Sequence, residues 1–341
     1  MNSGKIIRTA LVALPVGLFV LGMVAVVVTH VSPKLLHHSQ DENLGKNLES
    51  ARMTQRPVNA GDLKLLVETL SSRIGERNLE KQDSLKKAAV WVESTLGPSN
   101  AGYPIRRQAF DVGPDKVWNV IAELRGNSRA KEFVVVGAHF DSAPGSAGVN
   151  DNGSGVAALI SLARAFAGSQ QARTIQFVAF VNGEPAYFET NAMGSVNFAA
   201  EAKREGMKIE AMIDLNSLGV FSDEEGSQQS PAGLDDKFPS TGNFVAILGN
   251  ADSGEMAEMA RDSFFRASPI PTVAGSFAEK IPEIHRADHA SFSKKGFPAI
   301  VVTDTDKLRL PSADSLEQID FEKLESVVKG LKVVIETLAN P

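Results

Sequence analysis

Residues 133–184 read FVVVGAHFDSAPGSAGVNDNGSGVAALISLARAFAGSQQARTIQFVAFVNGE and contain the clearest fold signal of the chain. Two apolar runs, 133–137 and 174–181, enclose a segment with the 3.6-residue periodicity of a helix, 156–166. Continuous apolar runs are typical of strands that are buried on both faces, and a strand, a helix and a second strand form a parallel unit. The stretch therefore predicts an α/β domain.

The same alternation extends to both sides of this unit. The sequence predicts helices at 62–70, 79–96, 194–205, 253–265 and 321–338, strands at 106–112, 117–124, 209–215, 244–248 and 299–303, and a long loop at 222–243. We expect a mainly parallel mixed sheet with helices on both faces. Ligands bind such sheets beyond the carboxyl ends of the strands, so polar residues at strand ends are the candidate site.

Composition excludes several classes of function. The net charge of -6 over 341 residues argues against a nucleic-acid-binding protein, whose surface would be basic. The chain has no cysteine, which excludes disulfide bonds, thiolate metal ligands and a cysteine nucleophile.

The N-terminus carries an uncharged apolar segment at residues 10–29, which reads ALVALPVGLFVLGMVAVVVT and follows Lys5 and Arg8. Twenty helical residues span about 30 Å, the thickness of the hydrocarbon core, and the preceding positive charges favour a cytoplasmic N-terminus. The alternative, a cleaved signal peptide, usually has a shorter apolar region of about 7–15 residues. The sequence therefore predicts a cytoplasmic N-terminus, a single-pass membrane anchor, a juxtamembrane linker and an extracytoplasmic domain at residues 1–9, 10–29, 30–58 and 59–341.

Potential zinc ligands follow the strands of the central unit. His139 and Asp141 end the first strand, Asp151 lies in the loop before the helix, and Glu184 follows the second strand. Imidazole and carboxylate groups are the ligands of hydrolytic zinc sites. Each residue also has an ordinary alternative role: a strand-end histidine, a turn or cap residue at Asp151, and a solvated loop acid at Glu184.

The order of these motifs resembles the co-catalytic dizinc aminopeptidases, a family that also holds glutaminyl cyclase and glutamate carboxypeptidase. The matching elements are His-x-Asp at 139–141, Asn-Asp-Asn-Gly-Ser-Gly at 150–155, Gly-Glu-Pro at 183–185, a polar strand end at 214–216 and Asp-His-x-x-Phe at 288–292. The likeness extends from about residue 63 to the C-terminus. It implies a zinc-aminopeptidase-type fold.

The resemblance also implies roles for individual residues. His139 would bind one zinc ion, and Asp141 would orient the imidazole of His139. Asp151 would bridge two zinc ions, and Glu184 would bind the second of them. Gly183 stands where the family has its general base, and a glycine cannot accept a proton.

Two further ligand positions depart from the family pattern. Asn216 stands where the family has an acidic ligand, although Asp214 lies two residues earlier on the same strand face and could replace it. The last histidine of the family would fall near Leu310, and the chain has no histidine after His289. Asp288 and His289 match a cleft element of the family; the alternative is a hydrogen-bonded pair at the surface.

The apolar N-terminal segment and the resemblance together predict a membrane-anchored aminopeptidase homologue that binds peptides or protein N-termini, holds one zinc ion or none, and has lost most or all dizinc hydrolysis. Two alternatives remain. One is an active metallo-aminopeptidase with a rebuilt one-zinc site that uses Asp214. The other is an acyl transferase similar to glutaminyl cyclase.

Overall fold

An eight-stranded mixed sheet with the strand order β1-β2-β4-β3-β5-β8-β6-β7 forms the centre of the computed structural model. The strands are β1 Ile105–Val112, β2 Asp115–Leu124, β3 Arg129–His139, β4 Arg173–Phe180, β5 Lys208–Leu215, β6 Val245–Gly249, β7 Thr272–Gly275 and β8 Ala299–Thr303. Strand β3 pairs in parallel with β4 and β5, and β5 pairs in parallel with β8. Strands β1 and β2 extend one side as an antiparallel hairpin.

Helices cover both faces of this sheet. They are α1 Ala60–Glu68, α2 Gln82–Leu96, α3 Gly155–Phe166, α4 Gly194–Arg204, α5 Gly254–Phe264, α6 Asp288–Ser293 and α7 Phe321–Ala339. Val134 and Val136 of β3 pack with α1, α2, α3, α5 and α7, whereas Val135 packs with α4 and α6. Successive side chains of a strand point to opposite faces, which explains why residues 133–138 of β3 are all apolar.

The structure describes residues 54–234, 236–282, 284–304 and 314–341. The predicted membrane anchor at residues 10–29 lies outside these ranges, as does most of the predicted linker. Within them, no helix is both long and apolar enough to cross a membrane.

The predicted α/β architecture is confirmed within the described residues, including the mixed sheet and its two helical layers. The sequence patterns missed β7 and α6. These elements have four and six residues, which is too short for a periodic signal. The predicted loop at 222–243 contains no helix or strand in its described part.

The order of the strands determines where a site can form. Strands β3, β4 and β5 are parallel neighbours, so their carboxyl ends lie at one edge of the sheet. His139 ends β3, Glu184 follows β4, and Asn216 follows β5. The topology thus brings three segments that are distant in sequence to one place, as expected for a ligand site of an α/β sheet.

Candidate metal centre

Three side chains at the carboxyl edge of the sheet form a possible metal-binding group. His139, Asp151 and Glu184 each offer one ligand atom, and these atoms lie within 4.8 Å of one another. His139 and Glu184 are buried, whereas the side chain of Asp151 is 24% exposed. His139 Nε2 lies 3.3 Å from Asp151 Oδ1. This is the only group of three or more such residues at metal-binding distance within the described ranges.

The Asn-Asp-Asn-Gly-Ser motif holds Asp151 through its neighbours. Asn152 donates to the carbonyl of Leu215 at 2.8 Å and accepts from the amide of Ser217 at 3.0 Å. Ser154 accepts from the amide of Leu218 at 2.8 Å. These bonds join the loop before α3 to the end of β5. Asn152 and Ser154 are therefore engaged in hydrogen bonds with the backbone, whereas Asp151 lines the cleft.

A buried arginine connects two of the ligand-bearing segments. The guanidinium of Arg77 is fully buried and donates to the carbonyls of Phe140 at 2.5 Å, Gly148 at 2.9 Å and Gly75 at 3.2 Å, and also to that of Ala147. Phe140 directly follows His139, and the 147–148 carbonyls precede Asp151. Burial lowers the pKa of Arg77 to about 10, so the guanidinium keeps its charge near neutral pH.

The position expected for a general base has no room for a side chain. A Cβ atom built on Gly183 would overlap the Cβ and Cγ atoms of His139 and would lie 3.0 Å from its Cδ2. The amide of Gly183 donates to Asp141 Oδ1 at 2.8 Å, which fixes the backbone in this place. The loop after β4 thus packs directly on His139, and the glycine is a packing requirement of this backbone.

Substitution of Gly183 by Ala is expected to lower the free energy of unfolding by about 1–3 kcal/mol, because the new methyl group overpacks a buried contact. The clash involves the Cβ of His139, so a change of rotamer at His139 cannot relieve it. Thermal or urea unfolding measures the effect. Gly61→Ala is a matched control, since a Cβ there meets its nearest neighbour, Asn59 Oδ1, at an ordinary 3.4 Å. Equal stability of the two variants would contradict the packing argument.

Buried negative charge surrounds His139. Burial by itself lowers the pKa of His139, but Asp141, whose Oδ1 lies 3.4 Å from Nδ1, acts against burial together with Glu184 and Asp288, and the resulting pKa is about 9. Burial raises the pKa of Glu184 to about 7. The group therefore favours a bound cation, whether a proton on the imidazole or a metal ion.

The donor set fits a single zinc ion. One histidine and two carboxylates are ligands that zinc takes in hydrolytic sites with an open fourth position. Glu184 Oε1 is buried and accepts no hydrogen bond from the described residues, as expected of an atom arranged for a metal. A second dication would lack support, because Asn216 brings a neutral amide to the cleft in place of a carboxylate.

A cleft of about 320 Å³ contains this group. Its walls are formed by residues from the ends of β3, β4 and β5 and from the segment before α6: His139, Asp151, Gly183, Glu184, Pro185, Phe188, Asn216, Pro282, Arg286 and Ala287. The sequence predicted the group formed by His139, Asp151 and Glu184, which we call the acidic floor of the cleft. It did not single out Phe188 or Arg286, which lie in segments without a motif or a periodic pattern.

Asp214 lies outside the metal-binding group. It is fully buried, its Oδ2 accepts from the amide of His289 at 3.2 Å, and the same oxygen lies 3.6 Å from His289 Nδ1. Asp288 and His289 are also buried, so the alternative of a surface pair at these positions is wrong. Neither residue lines the cleft, and Asp288 lies close enough to interact with the charges of Asp214 and His139.

Asp314 supports the site from a segment that is distant in sequence. Its carboxylate accepts from the amides of Val149 at 2.8 Å and Asn150 at 2.6 Å, directly before Asp151. Leu310, where the last family histidine was expected, lies outside the described residues.

Comparisons with known proteins agree with this architecture. Residues 119–334 match the family model described as peptidase family M28. The uncharacterized protein YfbL of Escherichia coli (strain K12) is 26% identical over 292 residues, which cover 82% of this chain and 88% of that protein. A probable leucine aminopeptidase 2 of Arthroderma benhamiae is 28% identical over 183 residues, which cover 53% of this chain and 32% of that protein.

Among solved structures, BSAP, a zinc aminopeptidase from Bacillus subtilis, is similar in fold. The TM-score is 0.66 at 14% sequence identity, over 83% of this chain and 96% of that one. The matched family model covers more than half of the chain, from β2 into α7. The motifs around His139, Asp151 and Glu184 lie within it, and so does the sheet that positions them. The chain belongs to peptidase family M28.

Proposed function

We propose that this protein is a peptide-binding member of the metallopeptidase family in which dizinc hydrolysis is lost or strongly reduced. The observation that carries the proposal is the contact between Gly183 and His139, because the backbone leaves no space for a general base there. General bases contribute about 10²–10⁴-fold to enzymatic rates, so the absence of this group alone accounts for a large loss.

The remaining side chains support binding. His139, Asp151 and Glu184 would hold one zinc ion, which when bound supplies a Lewis acid for a carbonyl oxygen. The carboxylates of the group attract the positively charged amino terminus of a peptide. The cleft around them is open to solvent along Asp151 and the rim at 185–188. A peptide N-terminus can therefore enter without a rearrangement of the sheet.

Hydrolysis assays test the loss of activity. The full chain, purified in detergent with one equivalent of zinc, is expected to release no p-nitroaniline from leucine p-nitroanilide beyond the rate with a chelator. Chelator-sensitive turnover that disappears in Asp214→Asn would establish the alternative one-zinc peptidase. Cyclisation of an N-terminal glutamine in place of hydrolysis would establish the acyl transferase.

The location proposed for the domain is extracytoplasmic, with residues 10–29 as the membrane anchor. Support comes from twenty uncharged residues that follow Lys5 and Arg8. The chain has no cysteine, so a single introduced thiol reports its own location. Ser99→Cys, at an exposed turn, is expected to react with a membrane-impermeant maleimide in intact cells, whereas Ser3→Cys is expected to stay unlabelled. The reverse labelling pattern would contradict this topology.

A further inference from the structure

We propose that Arg286 binds the carboxylate of a short peptide whose amino group lies at the acidic floor of the cleft. The ligands would then be dipeptides and tripeptides with both termini free. This inference rests on the proposed function, the binding of peptides in this cleft, and it specifies which peptides bind.

The cleft carries charges of both signs, on different segments of the chain. Asp151 and Glu184 place two carboxylates at the floor, beside His139. Among the described residues that line the cleft, Arg286 is the only arginine or lysine, and it belongs to a different segment, the one that leads into α6. A ligand with an amine at one end and a carboxylate at the other matches this separation of charge.

The guanidinium of Arg286 is held by an aromatic contact and forms no ion pair with the described residues. Its Cζ atom lies 5.6 Å from the centroid of the Phe188 ring, a cation–π contact that orients the side chain along the rim. No carboxylate of the described residues lies within ion-pair distance of Arg286. Glu189, whose pKa Arg286 helps to lower, is already bound by Lys294 at 2.5 Å. Arg286 therefore keeps donors for a ligand carboxylate.

The backbone beneath Arg286 is fixed by burial and hydrogen bonds. The side chains of Ile284 and Ala287, on either side of it, are buried. The amide of Ala287 donates to the carbonyl of Ile284 at 3.0 Å, and His285 Nδ1 lies 2.8 Å from the carbonyl of Pro282. A long side chain on a fixed base loses less conformational entropy when it binds than one on a mobile loop.

The size and lining of the cleft favour a short ligand. A volume of about 320 Å³ lies near the lower limit of ligand pockets, which is about 300 Å³. Pro185, Pro282 and Ala287 contribute apolar surface to the same cleft. The side chains of a short peptide would pack against this surface. Arg286 would contact the terminal carboxylate of such a peptide and would meet only a neutral amide bond in a longer one.

Calorimetry with three related peptides tests the inference. The full-length protein in detergent is titrated with alanyl-leucine, with alanyl-leucinamide, which lacks the carboxylate, and with N-acetyl-alanyl-leucine, which lacks the amine. Arg286→Gln removes the charge and keeps hydrogen-bonding capacity. Arg266→Gln, at an exposed position after α5, is the matched control. We expect wild-type and control proteins to bind the free dipeptide about 10-fold more tightly than its amide.

In Arg286→Gln the free dipeptide is expected to bind as weakly as the amide, while the affinity for the amide stays unchanged. An equal affinity for dipeptide and amide in the wild type, or a preference that survives in Arg286→Gln, would overturn the role of Arg286 and leave peptide binding intact. Tight binding of the acetylated dipeptide would overturn the assignment of the amine to the floor. Failure of all three peptides to bind would overturn both this inference and the proposed function.

Discussion

Replacement of Asp151 by Asn is expected to lower the affinity for zinc by about 100-fold or more, from a wild-type content of one zinc ion per chain. Asp151 contributes one of the two carboxylates of the metal-binding group, and its Oδ1 lies 3.3 Å from His139 Nε2. An amide of the same shape keeps the packing and removes the charge. Plasma mass spectrometry after exchange into trace zinc gives the stoichiometry, and competition with a chelating dye gives the affinity.

Two further variants test whether the loss of zinc is specific to the substitution of Asp151. Asp111→Asn, on the exposed surface of β1, is a control that should leave the zinc content unchanged. Asp214→Asn should also leave it unchanged, because Asp214 is buried against His289 and lies outside the group. A loss of zinc in Asp214→Asn comparable to that in Asp151→Asn would contradict the ligand set and support the rebuilt site. Two zinc ions per wild-type chain would contradict the proposal that the site holds only one.

Substitution of Arg77 by Met is expected to lower the free energy of unfolding by about 4 kcal/mol, since several buried carbonyl groups lose their donor together. Met keeps much of the volume of the side chain, so the effect reports the lost hydrogen bonds more than a cavity. Arg77→Lys should recover a part of the stability, because a single ammonium group cannot reach every carbonyl. Urea unfolding of the three proteins measures the series.

The control for this series is Arg204→Met, whose side chain is 72% exposed and lies 3.9 Å from Glu205; it should change stability by at most about 0.5 kcal/mol. Arg77 also joins the segment after His139 to the segment before Asp151. Zinc affinity of the folded Arg77→Lys protein is therefore expected to fall about 10-fold, as for residues that support metal ligands. Unchanged zinc affinity would show that Arg77 stabilises the fold without positioning the ligands.

The strands and helices near the site followed from local sequence patterns. The run before His139 is apolar at every position, and the structure buries the corresponding residues of β3 between two layers of helices. The residues around Asp151 predicted a loop between a strand and a helix. Such signals depend on neighbours in sequence, so a single chain is enough to recognise them. Strand β7 and helix α6 were not predicted because they are too short to show a hydrophobic periodicity.

Which side chains contact one another at the site could not be predicted from the sequence, because these contacts join residues that are distant in sequence. Gly183 could be identified as a missing base, but its contact with His139 became visible only in the folded chain. The sequence placed Asp214 and Asn216 on one strand face, yet Asn216 lines the cleft whereas Asp214 accepts a hydrogen bond from His289.

Local sequence patterns were enough to predict the α/β class, the edge of the sheet that carries the site and three of the groups assembled there, because periodicity and strand-end position are local properties of the chain. Only the folded chain shows that Arg77 joins the ligand segments and that Arg286 lines the same cleft as His139, Asp151 and Glu184. Both depend on which segments the sheet order brings together, and no local pattern encodes that order. The physical reason is that hydrogen bonds and charge separation act over a few ångströms in space, whatever the number of residues between the partners.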